Sequence, residues 1–310
     1  MSERRDRGEP SILAATKAGL YRVGGGPEGR ELEGPVDSVA SDRWGLWALV
    51  DGRSLWRRVH EGRKAWVEVT EVEGPPGRCL LATDDGLFVG TAEAGLLRLE
   101  DGLLQRVKGF DEAPGRDTWY TPWGGPPDTR SLSQGADGTL YANVHVGGIL
   151  RSPDGERWEP TIDVDADVHQ VLAHPSDPDV LLAAAAPGLA VSRDGGETWT
   201  FHREGLHGRY CRAVAVADED ILVSASTGPF TERAAVYHRR LDAEGPFERC
   251  TEGLPDWFPS NVDSHCLVAA GHIAALGTEQ GEVFLSSDHG STWEPAATGL
   301  PGVRWLLLAD

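Results

Sequence analysis

The stretch VSRDGGETWT, residues 191–200, places Ser192, Asp194, Gly196 and Trp199 in one short run. Alone it reads three ways: an acidic catalytic loop, a metal loop, or a hairpin that turns one strand onto the next. Its recurrence separates these readings. The template S-x-D-x-G-x-T-W fits residues 192–199 and again 286–293, and RSPDGERW (151–158) is a copy one residue shorter without the threonine. Asp154 and Asp194 stand 40 residues apart, and Asp288 follows 94 later, two further periods of 47. The triplets EGL (204–206), EGL (252–254) and TGL (298–300) keep a similar interval.

A period in the forties, filled by short apolar runs between Gly, Pro and Asp with almost no helical periodicity, is the pattern of four-stranded propeller blades. Inner strands are expected to begin at VDSVAS (36–41), GRCLLA (77–82), TRSLSQ (129–134), VHQVLA (168–173), CRAVAV (211–216), SHCLVA (264–269) and VRWLLL (303–308). The last has no room for a blade after it, and SILAATKAGLYRV (11–23) has no inner strand before it. Both gaps close if residues 303–308 supply the inner strand of the first blade, which also removes exposed sheet edges. The expected fold is all-β, a single seven-bladed β-propeller over residues 1–310 with its first blade closed by the C-terminal strand. Residues 1–10 are expected to be a flexible lead.

The repeated turn resembles the Asp-box, or bacterial neuraminidase repeat, of sialidases, xyloglucanases, sortilin-type receptors and the photosystem II assembly factor. The resemblance implies that Ser192, Asp194, Gly196 and Trp199, and likewise Ser286, Asp288, Gly290 and Trp293, are structural. In those families the hairpin joins the third and fourth strands, opposite the ligand face. A carboxylate and a hydroxyl bond to backbone inside the turn, glycine permits positive φ, and the tryptophan packs between blades.

The blade alignment puts Asp37, Arg78, Arg130, His169, Arg212, His265 and Arg304 at one equivalent inner-strand position. All seven are ionisable, although only 25% of the chain is charged. Two positions further on stand Val39, Leu80, Leu132, Val171, Val214, Leu267 and Leu306. The first set is expected to line the central channel and the second to enter the core between blades. His145, His169, His207 and His265 should converge on the channel face, whereas His60, His174, His272 and His289 fall at opposite-face turns. His145, His169 and His265 are the candidate ligands for one divalent transition metal, since imidazole suits Zn²⁺, Fe²⁺, Mn²⁺ or Cu²⁺. His169, His265 and Asp37 are the candidate catalytic groups. Arg78, Arg130, Arg212 and Arg304 are candidates to hold substrate, with aromatic walls from the 109–128 loop (Trp119, Tyr120, Trp123) and from Trp257.

Composition narrows the partners. With 29 basic and 49 acidic residues the chain carries a formal charge of −20, which repels phosphate backbones and anionic lipid, so neither nucleic acid nor membrane is expected. No window of about 18 apolar residues is present and the N-terminus lacks a signal-like apolar region, so a cytoplasmic protein is expected. Cys79, Cys211, Cys250 and Cys266 lack metal or redox spacing and are expected to be buried thiols. Three functions follow. The leading one is an enzyme acting on a small polar or anionic molecule by metal-assisted hydrolase or lyase chemistry. The second is a scaffold or assembly factor that docks a protein on the same face, as the seven-blade count and likeness to the photosystem II assembly factor imply. The third is a sialidase-like glycoside hydrolase, although the family's N-terminal arginine motif and tyrosine–glutamate pair have no counterpart here.

Overall fold

The computed structural model describes residues 10–25, 28–43, 45–59 and 65–309 of the 310-residue chain. The expected flexible lead, except Pro10, and His60 lie outside the described residues. Seven four-stranded antiparallel sheets make a seven-bladed β-propeller. Blade 1 comprises Ser11–Thr16, Gly19–Val23 and Gly29–Glu33, and its inner strand is Val303–Ala309. The closure pairs Ile12 with Leu308, Leu13 with Leu307 and Ala14 with Leu306. The inner strands of blades 2 to 7 are Val36–Asp42, Gly77–Thr83, Thr129–Gln134, Val168–Ala173, Tyr210–Ala217 and Leu267–Ala270. Six of the seven expected starts fall within a residue of these bounds. The seventh begins three residues late, because Cys266 N–H bonds the Asp263 carbonyl and His265 takes φ 62 before the ladder forms.

Strict alternation would put the ring residues and the apolar residues two positions later on the same side of each strand. A β-bulge separates them. The register of the inner strand shifts at Asp37, Arg78, Arg130, His169 and Arg304, and across Arg212–Ala213. One extra residue there re-aims the side chain and resets the alternation behind it. Val39, Leu80, Leu132, Val171, Val214, Leu267 and Leu306 are consequently all buried. Leu132, Val171, Val214 and Leu267 also border a 210 Å³ space, together with the ring residue His265.

Neighbouring inner strands share no ladder, so side chains join them. Ser38 Oγ accepts from Leu80 N (3.0 Å), Ser131 Oγ from Val171 N (2.9 Å), and Gln170 Nε2 donates to the Val214 carbonyl (3.0 Å). Each of these residues directly follows a ring residue, so the bulge serves both the channel and the seam between blades.

The three copies of the opening motif are hairpins between third and fourth strands. In blade 5, Ser192 Oγ donates to Asp194 Oδ1 (2.8 Å) and accepts from Gly196 N (2.9 Å). Thr198 donates to Asp194 through its amide (2.9 Å) and its hydroxyl (2.6 Å). Gly196 has φ 96, which a side chain would strain, and its carbonyl accepts the Trp199 indole N–H. Residues 286–293 repeat these bonds in blade 7. In the shorter copy Asp154 accepts instead from the amides of Glu156 and Arg157. Trp158 and Trp293 are buried and Trp199 is half-buried at the edge of the core.

Two predictions follow from these turns. Ser192→Ala would leave a buried amide without its acceptor, and Ser286→Ala the same. Each is expected to cost about 1–2 kcal/mol in urea unfolding, nearly additively because they lie in different blades. Donors from Thr198 and Ser192 hold Asp194 at a pKa of about 2, and burial fails to offset the matching donors, Thr292 and Ser286, at Asp288, which is also held low. A pKa depressed in the folded state gives stability that is full above about pH 4 and is lost as pH falls towards 2. The urea midpoints of wild type and Asp194→Asn should therefore differ at pH 6 and converge at pH 2. A constant difference would contradict this.

The four thiols are buried and free, and burial pushes those of Cys79, Cys211 and Cys250 up to about 12. Among the described residues no helix is long and apolar enough to cross a membrane.

Candidate functional site

Six of the seven ring residues, Asp37, Arg78, Arg130, Arg212, His265 and Arg304, border one open pocket of 380 Å³ at the channel mouth. Asp128 and Asp263 complete its charged lining, and Trp305 lies beside them. The pairing follows a rule. Three of the four arginines reach a carboxylate near the start of the next blade. Arg304 of blade 1 pairs with Asp37 of blade 2 (2.6 Å), Arg78 of blade 3 with Asp128 ahead of blade 4 (3.1 Å), and Arg212 of blade 6 with Asp263 ahead of blade 7 (2.5 Å). Burial raises the Asp37 pKa against the pull of Arg304. Burial also opposes the charge on Arg212, but Asp263 and Tyr210 outweigh it and raise that pKa.

Arg130 breaks the rule. Its counterpart ahead of blade 5 is Asp167, which turns to two histidines instead. His145 Nε2 lies 3.0 Å and His169 Nε2 3.7 Å from Asp167 Oδ1. Among the described residues no carboxylate lies within ion-pair distance of Arg130. Desolvation, and then the like charge of Arg212, lower its pKa. Four arginines thus face three carboxylates in that lining, and Arg130 is left with only the longer-range attraction of Asp128 and Asp167.

The histidine cluster is rigid. His169 is fully buried, and its Nδ1–H donates to the Cys211 carbonyl at 2.6 Å, which fixes Nε2 as the atom facing Asp167. Burial, with the nearby Arg212, lowers the His169 pKa to about 3, so the ring is neutral at pH 7. Burial alone would raise Asp167, but the two imidazoles and Arg130 hold it below the ordinary carboxylate range. Trp123 covers His145 at 5.1 Å between ring centroids, and Tyr210 lies 4.6 Å from His169.

The structure does not assemble the expected His145–His169–His265 ligand set. His265 stacks flat on Trp305 (3.5 Å between centroids, 10° between planes), and burial lowers its pKa to about 3. The group that does come together among the described residues is His145, Asp167 and His169, with donor atoms within 4.8 Å of one another. Asp167 was missed because a single acid in DVDADVH carries no motif. The only signal is its position two residues before a ring residue, which Asp128 and Asp263 share. His207 also stands apart, held by the Tyr237 hydroxyl (2.7 Å) and the Arg233 carbonyl (3.0 Å).

The expected aromatic wall divides. Trp119 packs on Phe110 and Arg116, and Trp257 is held between Arg233 and Arg249, so both rings are engaged in packing. Tyr120 and Trp123 remain 46% and 67% exposed, with the Tyr120 hydroxyl bonded to Asp165 at 3.2 Å. On the far face His174 caps its own turn, and His289 meets Asp218 at 3.0 Å in the next hairpin.

No protein-family model and no curated protein sequence matches the chain. Solved structures match it in fold alone. The WD40 repeats of RRP9 superpose with a TM-score of 0.61 at 15% identity, covering 94% of this chain and 87% of that one. Virginiamycin B lyase from Staphylococcus aureus gives 0.60 at 13% identity, over 84% of this chain and 83% of the other. YCF48 bound to a D1 peptide gives 0.58 at 15%, over 95% and 90%. These neighbours, a lyase, a WD40 domain and a peptide-bound propeller, establish a seven-bladed propeller fold that carries mixed functions.

Proposed function

We propose that the protein is a cytoplasmic enzyme that takes a small anionic molecule into the mouth of its channel and performs hydrolase or lyase chemistry on it beside His145, Asp167 and His169. Arg130 carries this reading. A desolvated guanidinium without a close ion pair among the described residues is costly, and a carboxylate or phosphate on the ligand supplies one. Its planar fork suits two parallel hydrogen bonds to either group. The 380 Å³ mouth has the size of a small-metabolite pocket. Both reaction classes must move a proton from water or from the substrate, and titratable groups stand next to Arg130 to handle it.

The test is calorimetry against small mono- and dicarboxylates and phosphate monoesters. One-to-one binding that weakens as salt rises is expected. If no compound binds, the reading fails. A second reading rests on a separate observation. Trp123 at 67% and Phe230 at 98% exposure are two large aromatic side chains left open to solvent, of the kind that anchors protein docking. YCF48, a propeller of like fold, is found with a peptide bound. A stoichiometric partner whose capture is lost in Trp123→Ala and Phe230→Ala would favour this reading.

A further inference from the structure

Among the described residues, two buried atoms of the histidine cluster have no hydrogen-bond partner: Nε2 of His169 and Oδ1 of Asp167. Both are acceptors that burial ordinarily pairs. A proton shared between them cannot satisfy both, because 3.7 Å is too long for a hydrogen bond. Adding that proton would also create a buried imidazolium, since Nδ1–H already donates to the Cys211 carbonyl. His145 Nε2 approaches the same oxygen at 3.0 Å but out of line for a hydrogen bond.

A cation between the three atoms satisfies them together. Metal bonds of about 2.0–2.2 Å place neighbouring ligand atoms roughly 3.0–3.5 Å apart. The observed separations of 3.0 and 3.7 Å already approach that spacing. We propose that His145, Asp167 and His169 bind one divalent transition-metal ion. Two imidazoles and one carboxylate, without a thiolate, suit Zn²⁺, Fe²⁺ or Mn²⁺.

The surroundings are those of a built site. The Cys211 carbonyl fixes His169 with Nε2 towards the ion, and metal-bound imidazoles ordinarily donate their other ring N–H to such an acceptor. The Asp167 carbonyl accepts from Ala186 N (3.1 Å), and His145 N donates to the Asp128 carbonyl (2.9 Å), so backbone pairing anchors both residues. Asp167 and Val146, the residue after His145, hold φ 47 and 54, conformations that cost energy and aim these loops at one point. A bound ion would polarise a substrate oxygen or lower the pKa of a bound water. The site stands whether or not an anion binds at Arg130.

The experiment titrates tag-free, chelator-stripped protein with Co²⁺ and then Zn²⁺. One equivalent of Co²⁺ is expected to give visible d–d absorption that Zn²⁺ displaces. Asp167→Asn and His145→Gln, checked for folding by circular dichroism, should weaken binding by about 100-fold or more, since losing even a group that only supports a ligand costs about 10–100-fold. His265→Ala and His289→Ala should titrate as wild type. X-ray absorption of the Zn²⁺ form should show nitrogen and oxygen ligands only. Absence of a saturable band in folded wild type, or a band kept in both ligand variants, would overturn the site.

Discussion

Deletion of residues 303–310 is expected to abolish cooperative folding. The strand Val303–Ala309 is the inner strand of blade 1, so its loss opens the ring at the point where the chain ends meet. Val303 and Leu306 pack into a core cluster shared with blades 6 and 7, while Trp305 enters a second cluster shared with blades 2 to 4. Removing the strand therefore severs two cores at once. Burial of three such side chains is worth about 1.5–3 kcal/mol each, and their sum approaches the roughly 5–15 kcal/mol by which a domain is stable. The deletion also uncovers the ladder groups of Ser11–Thr16, an apolar edge that invites association. The milder Leu306→Ala should keep the fold and cost about 2–5 kcal/mol. Urea unfolding and size-exclusion chromatography check both, and a truncated chain that stays monomeric with an unchanged midpoint would refute the argument.

The closure and the blade register were legible because the turn repeats. A hairpin held by Ser192, Asp194 and Gly196 has a fixed place in its blade, so its spacing dates every other strand. The bulge was not legible as such. The sequence displays ionisable residues followed two positions later by apolar ones, and simple alternation would have put both on one side. Only an inserted residue makes the pattern physically consistent. The site was harder still. The arginines could be aligned, but which carboxylate each meets depends on loops between blades, where no periodicity constrains position. That is why Asp128 and Asp167 went unnoticed while Asp37 was found. Trp119 and Trp257 mislead for a related reason: aromatic loops read as pocket walls, yet Phe110 below one and arginines around the other draw the rings into packing. His265 shares the ring register, but Trp305 takes its face.

Arg130→Met is expected to weaken binding of the best anionic ligand by about 100-fold or more while leaving the folded protein as stable as wild type, or more so. The two effects have one cause. In the free protein Arg130 carries desolvation and the repulsion of Arg212, which the more distant Asp128 and Asp167 do not offset, so an apolar side chain of similar length relieves a cost. In the complex the guanidinium would be the ligand's counter-ion, and losing a buried charged partner costs about 2–5 kcal/mol, at about 1.4 kcal/mol per tenfold. Arg130→Lys keeps the charge but not the fork and should fall between. Arg212→Met is the contrasting variant. It strands Asp263, which now accepts from Arg212 Nε at 2.7 Å, and should lower stability as well as affinity. Calorimetry reads the first quantity and urea unfolding the second. Should Arg130→Met bind within about threefold of wild type, the mouth has no anion site at Arg130. Should it instead unfold more readily than wild type, Arg130 serves the scaffold, and the charge imbalance has a structural origin.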